Sequence, residues 1–167
     1  TISVSAFLLN RSSDLSLYHP DMKVFVVRDK DGKMLALFYS DPYRRPTKRG
    51  GAWMSAFAKQ SNLRKQLPII YNVTNYAKAP EGQPTLITWD EVTTLFHEFG
   101  HALHGMLSNC YYNTLSGTAV ARDFVEMPSQ FNESFASIPE IFDHYAKHAV
   151  TGEPMPAELK EKMLKKL

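Results

Sequence analysis

Cysteine is nearly absent from this sequence of 167 residues: Cys110 stands alone. A lone thiol excludes an internal disulfide framework and fits a reducing compartment, so a cytoplasmic protein is expected. Long apolar runs are missing too, and no stretch approaches the ~18 consecutive apolar residues of a membrane span. The opening TISVSAFLLN has a short apolar patch but neither a basic leader nor a small-residue cleavage site, which argues against a signal peptide. Nor does one sign of charge dominate. The formal net charge is +2, too small for the global field to argue for a nucleic-acid or membrane partner. What remains, 44% apolar and 22% charged residues, is an ordinary globular composition, long enough for one domain with a hydrophobic core. There is no initiator Met, and residues 158–167 stop inside a helical pattern without a C-cap signal. A fragment of a longer protein is therefore expected.

Two parts differ in pattern, a strand-rich 1–84 and a helical 85–167. In the first, residues 23–28 (KVFVVR) and 34–39 (MLALFY) flank a Gly-containing turn and predict a hairpin. Residues 41–51, DPYRRPTKRGG, read as a loop by their Pro and Gly content. Its cations Arg44, Arg45, Lys48 and Arg49 are read as solvated rather than as an anion or substrate contact. Residues 67–75 suggest another strand, with Pro68 near its start, where a missing N–H is tolerated.

From Thr85 the pattern is helical. Thr88 and Glu91 fit a capping box, and Val92, Leu95, Phe96, Phe99, Leu103, Met106 and Leu107 step by three and four along a helix of about five turns. A loop follows over 108–118. A second helix is expected over about 119–137, kinked or restarted near Pro128, then a third over about 139–150 and a fourth over 156–167. The fold class expected is α+β, mainly α: a small N-terminal sheet or hairpin followed by helices.

The chemistry concentrates in LFHEFGHALHG, residues 95–105. His97 and His101 are four apart on one helix, so both imidazoles can reach a single ion at ~2.0–2.1 Å. Glu98 points off their shared line and can take a proton from an activated water rather than ligate. An unpaired His-Glu-His set would be costly to bury, and Gly100 costs a helix interior up to ~1 kcal/mol relative to Ala, which suggests that something approaches closely there. His104 falls where the longer zinc signature needs Gly, and Leu107 where it needs His. His104 is therefore read as structural or supporting rather than as a ligand. A catalytic zinc takes three protein ligands and one open position. Asp123, Glu126 and Glu133 can supply the third, with Glu126 the best placed among apolar neighbours. Gln130 and Glu133 share its face and are candidates to hold the ligands by hydrogen bonds. Tyr111 and Tyr112 read as exposed loop aromatics. The rival reading is a non-catalytic zinc-stabilised domain, but structural zinc sites usually use cysteines.

These residues, with Leu115-Ser-Gly-Thr118, Arg122-Asp-Phe-Val-Glu-Met-Pro-Ser-Gln130, Asn132-Glu133 and Lys48-Arg-Gly-Gly-Ala-Trp53, resemble the thimet oligopeptidase and oligopeptidase A family of zinc metallopeptidases. The dipeptidyl carboxypeptidase branch fits best. The resemblance implies a zincin-like catalytic region with one zinc ion held by His97, His101 and Glu126, and Glu98 as base. It makes Gly117 a candidate substrate contact. It also implies cleavage of short unstructured peptides with release of C-terminal dipeptides, or oligopeptidase activity as the alternative. The rest of a longer peptidase would be the partner, and would carry the Gly-rich loop and oxyanion-binding residues that this sequence lacks. The fragment alone is expected to be weakly active or inactive.

Overall fold

A computed structural model describes residues 9–10 and 17–164. Most of the N-terminal apolar patch and the last three residues of the expected fourth helix lie outside the described residues. Among the described residues, five strands form one sheet: β1 (Leu9–Asn10), β2 (Lys23–Arg28), β3 (Met34–Tyr43), β4 (Trp53–Ala58) and β5 (Ile69–Tyr76), in the spatial order β1-β2-β3-β5-β4. Only the β3–β5 pair is parallel. Four α-helices follow among the described residues: α1 (Trp89–Met106), α2 (Met127–Glu133), α3 (Pro139–Tyr145) and α4 (Ala157–Leu164). The architecture is thus a mixed α+β one.

The β2–β3 hairpin forms where expected, because its turn satisfies its own backbone. The Asp29 carboxylate accepts from the Asp31 and Lys33 amides at 3.0 and 2.9 Å, and Gly32 takes a φ of +81° that side chains resist. β3 then runs beyond its expected end, through Asp41 and Pro42, with a register shift that accommodates the proline. β4 was not anticipated. None of its residues is fully buried and its pattern does not alternate, so the period-two signal of a half-buried strand is missing.

The solvated loop expected over 41–51 is corrected. Asp41 is 1% exposed and accepts both Arg45 guanidinium N–H groups at 2.7 Å and the Tyr18 hydroxyl at 3.0 Å. The Lys48 ammonium is nearly as buried and donates to the carbonyls of Asp41, Tyr43 and Thr74. Burial alone would raise the Asp41 carboxyl, but hydrogen bonds from Arg45, Tyr18 and Lys48 outweigh it and hold it below the usual carboxylate range. Burial pushes Lys48 below the ordinary lysine value even beside Asp41. Arg44 and Arg49 do remain exposed.

α1 begins at the expected capping box: the Glu91 amide donates to Thr88 Oγ1, and the Thr88 amide donates to Glu91 Oε2. It packs on one face of the sheet, where Ala102 and Met106 join Val27, Ala36, Phe38 and Ile70 in a core flanked by Phe99 and Leu103. The apolar stripe is narrower than expected, since Leu95 and Leu107 are 38% and 45% exposed while Gly100, Ala102 and Gly105 are buried. Small residues let neighbours approach the helix axis, and hydrophobic periodicity does not register that. The second helix is also shorter than expected. Residues 122–126 are turns, α2 starts with Pro128 in its first turn, and Ser134–Ser137 tighten into a 3-10 segment. A proline costs no hydrogen bond in a first turn, so it starts this helix rather than kinking it. α3 ends at Tyr145 rather than near residue 150.

Candidate metal centre

The site forms where α2 crosses α1, and Gly100 permits the crossing. A Cβ built on Gly100 would lie 2.7 Å from both the Pro128 carbonyl oxygen and Ser129 Cα, and 2.8 Å from Asn132 Cβ. The close approach read from the sequence is therefore real, and α2 makes it. Asn132 fastens the crossing by donating its Nδ2 to the Phe96 carbonyl at 2.6 Å.

That crossing brings Glu126, at the N-cap of α2, over the two histidines of α1. Glu126 Oε2 lies 3.2 Å from His97 Nε2 and 3.1 Å from His101 Nε2. One donor atom from each of the three residues falls within 4.8 Å of the others, the only such group of this kind among the described residues. Two imidazole nitrogens and one carboxylate oxygen make the donor set of a catalytic zinc site. Glu133 adds a condition that favours a cation. Its carboxylate only accepts, so His97 Nδ1, 3.0 Å away, must carry the proton and donate to it. In the neutral ring that a metal ligand must be, His97 Nε2 then presents its lone pair towards the Glu126 oxygen, an arrangement that a cation between them would satisfy. These residues fit a zinc ion.

The electrostatics follow the same packing. The Ser129 hydroxyl, then the charges of His101 and His97, hold the Glu126 carboxyl below its usual range against some opposing burial. Burial lowers His101 despite the Glu126 carboxylate, and lowers His104 as well. Burial raises the Glu98 carboxyl. Glu126 adds to the rise, while His97 and a hydrogen bond from the Met54 backbone amide oppose it. Glu98 is 8% exposed and points to the sheet side of α1, off the line joining the two histidines.

The other candidates separate. Gln130 is exposed and makes no side-chain hydrogen bond among the described residues. His104 stays outside the convergent group. Its ring meets Phe124 edge-on at 6.2 Å, and its buried Nδ1 has no partner among the described residues. Gly117 is buried with a φ of +60°; its amide donates to Ser108 Oγ at 2.7 Å, and a built Cβ would meet Gly105 Cα at 3.1 Å. Its evident work is to fold the 108–118 segment onto the end of α1. Tyr111 and Tyr112 are 58% and 53% exposed and stack edge-on against each other. Sequence reasoning missed Ser129 and the Met54 amide. Ser129 left a faint signal in its spacing of three from Glu126, whereas a backbone donor on a neighbouring strand leaves none.

Comparison with known proteins places this geometry in context. Residues 7–167 match peptidase family M3. The chain is 55% identical over 152 residues to a dipeptidyl carboxypeptidase of Salmonella typhimurium, covering 91% of the chain and 22% of that relative. It is 43% identical over 157 residues to oligopeptidase A of Escherichia coli, covering 90% of the chain and 23% of that relative. An organellar oligopeptidase A of Arabidopsis thaliana is 38% identical over 156 residues, with 89% of the chain and 20% of that relative covered. The chain thus spans less than a quarter of the length of these relatives.

Proposed function

The chain belongs to peptidase family M3, and from that premise we propose that it is the zinc-binding catalytic region of a metallopeptidase that cleaves short unstructured peptides. The observation that carries the reading is the convergence of His97, His101 and Glu126 within 4.8 Å, with Glu98 buried on the same helix. In this reading the three residues hold one zinc ion, the helix-on-sheet arrangement is zincin-like, and the protein works in the cytoplasm. A zinc ion held by His97, His101 and Glu126 would supply polarisation of the scissile carbonyl and acidify water to a pKa of about 7.

The remaining work falls to the protein. Glu133 keeps His97 in the tautomer that presents Nε2. Glu98 takes the proton of the attacking water and passes it to the leaving amine. The Met54 amide keeps the Glu98 carboxylate at the sheet side, clear of the ligand positions. Release of C-terminal dipeptides is favoured over internal cleavage, because identity is 55% with the dipeptidyl carboxypeptidase and 43% with oligopeptidase A. A peptide amidated at its C-terminus separates the two: it should resist a dipeptide-releasing enzyme and still be cut by an oligopeptidase.

The central test is Glu98→Gln in the complete protein. Turnover should fall by at least ~100-fold, the range of a lost general base, while one equivalent of zinc stays bound. A variant that keeps wild-type turnover, or one that loses its zinc, would show that Glu98 is not the base.

A further inference from the structure

Ser129 is fully buried, at 0% exposure, in the first turn of α2. Its single O–H faces two acceptors of one residue: the Glu126 carboxylate Oε2 at 2.8 Å and the Glu126 carbonyl at 2.9 Å. That carboxylate oxygen is the one poised between His97 Nε2 and His101 Nε2. The Glu126 side chain is otherwise 49% exposed and turns about three bonds. Among the described residues no other neutral donor holds its oxygen over the imidazoles. The backbone of Ser129 is itself fixed, because its Cα rests against Gly100, which lies between the two histidines on α1.

We propose that Ser129 is the positioning residue of the metal centre: its hydroxyl holds the Glu126 carboxylate level with the two histidines, and its contact with Gly100 sets that level. The proposal rests on the zinc-peptidase reading and adds a residue to it. The competing account is a serine that satisfies itself on the carbonyl three residues back, as buried helical serines do. In that account alanine would serve as well, and the metal would not notice the change. The two accounts differ in what they predict for the carboxylate, so the metal is the right probe.

The experiment measures zinc affinity by chelator competition in the complete protein, for the wild type, Ser129→Ala, Glu126→Ala and the double variant. Metal-free, the Ser129→Ala variant should keep the thermal midpoint of the metal-free wild type, and it should bind zinc about 10- to 100-fold more weakly, as found when a residue supporting a metal ligand is removed. Cobalt(II) in place of zinc should show an altered visible spectrum as the carboxylate loosens. In the Glu126→Ala background the same substitution should cost nothing more, because the group it acts through is gone. Unchanged affinity, a loss that simply adds in the double variant, or a Ser129→Ala protein that does not fold would each overturn the proposal. The underlying reading fails differently: the wild type would take up no zinc, or His97→Ala would leave uptake unchanged.

Discussion

Two glycines of α1 look alike in the sequence and differ in what an added methyl group would strike. At Gly100 the obstacles are the Pro128 carbonyl and Ser129 Cα, both backbone, at 2.7 Å. At Gly105 the nearest atom is Cδ1 of Ile70 at 2.8 Å, the tip of a side chain that can change rotamer. Replacing a helical glycine by alanine gains up to ~1 kcal/mol of helix propensity, while overpacking a rigid contact costs about 1–3 kcal/mol. Gly100→Ala is therefore expected to lower stability by about 1–2 kcal/mol in urea unfolding. Gly105→Ala should stay within about 1 kcal/mol of the wild type, because its cost and gain nearly cancel. Equal effects of the two substitutions would show that α2 does not press on Gly100 as described. His97 and His101 were legible because helical spacing alone puts their imidazoles on one face, where they converge, and Glu98 was legible as the carboxylate beside them, off that line. Glu126 was legible as the best placed of three carboxylates. Which of Gln130 and Glu133 meets His97 was not, since that depends on where α2 begins, and Pro128 moved the start by several residues.

Between β3 and β4 the same lesson holds for a whole connection. Proline, glycine and four cations made residues 41–51 read as a solvated loop, yet Asp41 at its start draws Arg45 and Lys48 inward. Loop composition reports backbone freedom and says nothing of a buried counter-charge. The β2–β3 hairpin and α1 were easier, because each carried a local signal: a turn that satisfies itself at Asp29 and a capping box at Thr88. The Asp41 cluster has a consequence for acid stability. Its carboxyl titrates below the unfolded value of about 3.9, so folding is favoured while Asp41 is ionised. The stabilisation is complete above the unfolded pKa and is lost as pH falls through the lower folded one. The urea midpoint of the wild type should hold to about pH 5 and drop below pH 4. Asp41→Asn should cost about 3 kcal/mol at pH 7, the scale of removing one partner of a buried pair, and should flatten that acid drop. An unchanged midpoint at pH 7 would mean that the cluster contributes nothing.

At the scale of the molecule, what is local and what is shared divide along the metal centre. The three candidate ligands, Glu133 and Ser129 all lie on α1 or within eight residues of one another around α2, so the proposed zinc site calls on no residue outside this chain. The surface beside them is different. Leu107, Leu115, Met127 and Phe131 are 45%, 62%, 50% and 65% exposed, and they line one groove with Leu103 and Phe135 between α1, α2 and the 108–120 segment. A contiguous apolar surface of this kind is unusual on a protein that works alone, and the relatives are more than four times as long as the chain. In the proposed reading, substrate walls and oxyanion donors come from a longer polypeptide of the relatives' length. Prepared by itself, the 167-residue chain should bind one equivalent of zinc and hydrolyse peptides at a small fraction of the rate of a full-length relative. It should also bind an apolar dye and self-associate with rising concentration, because the groove is apolar and exposed. Metal analysis, turnover, dye fluorescence and sedimentation on one preparation check the four expectations together. A monomeric, dye-silent chain with full-length turnover would show that the groove needs no cover and that the catalytic machinery is complete within these residues.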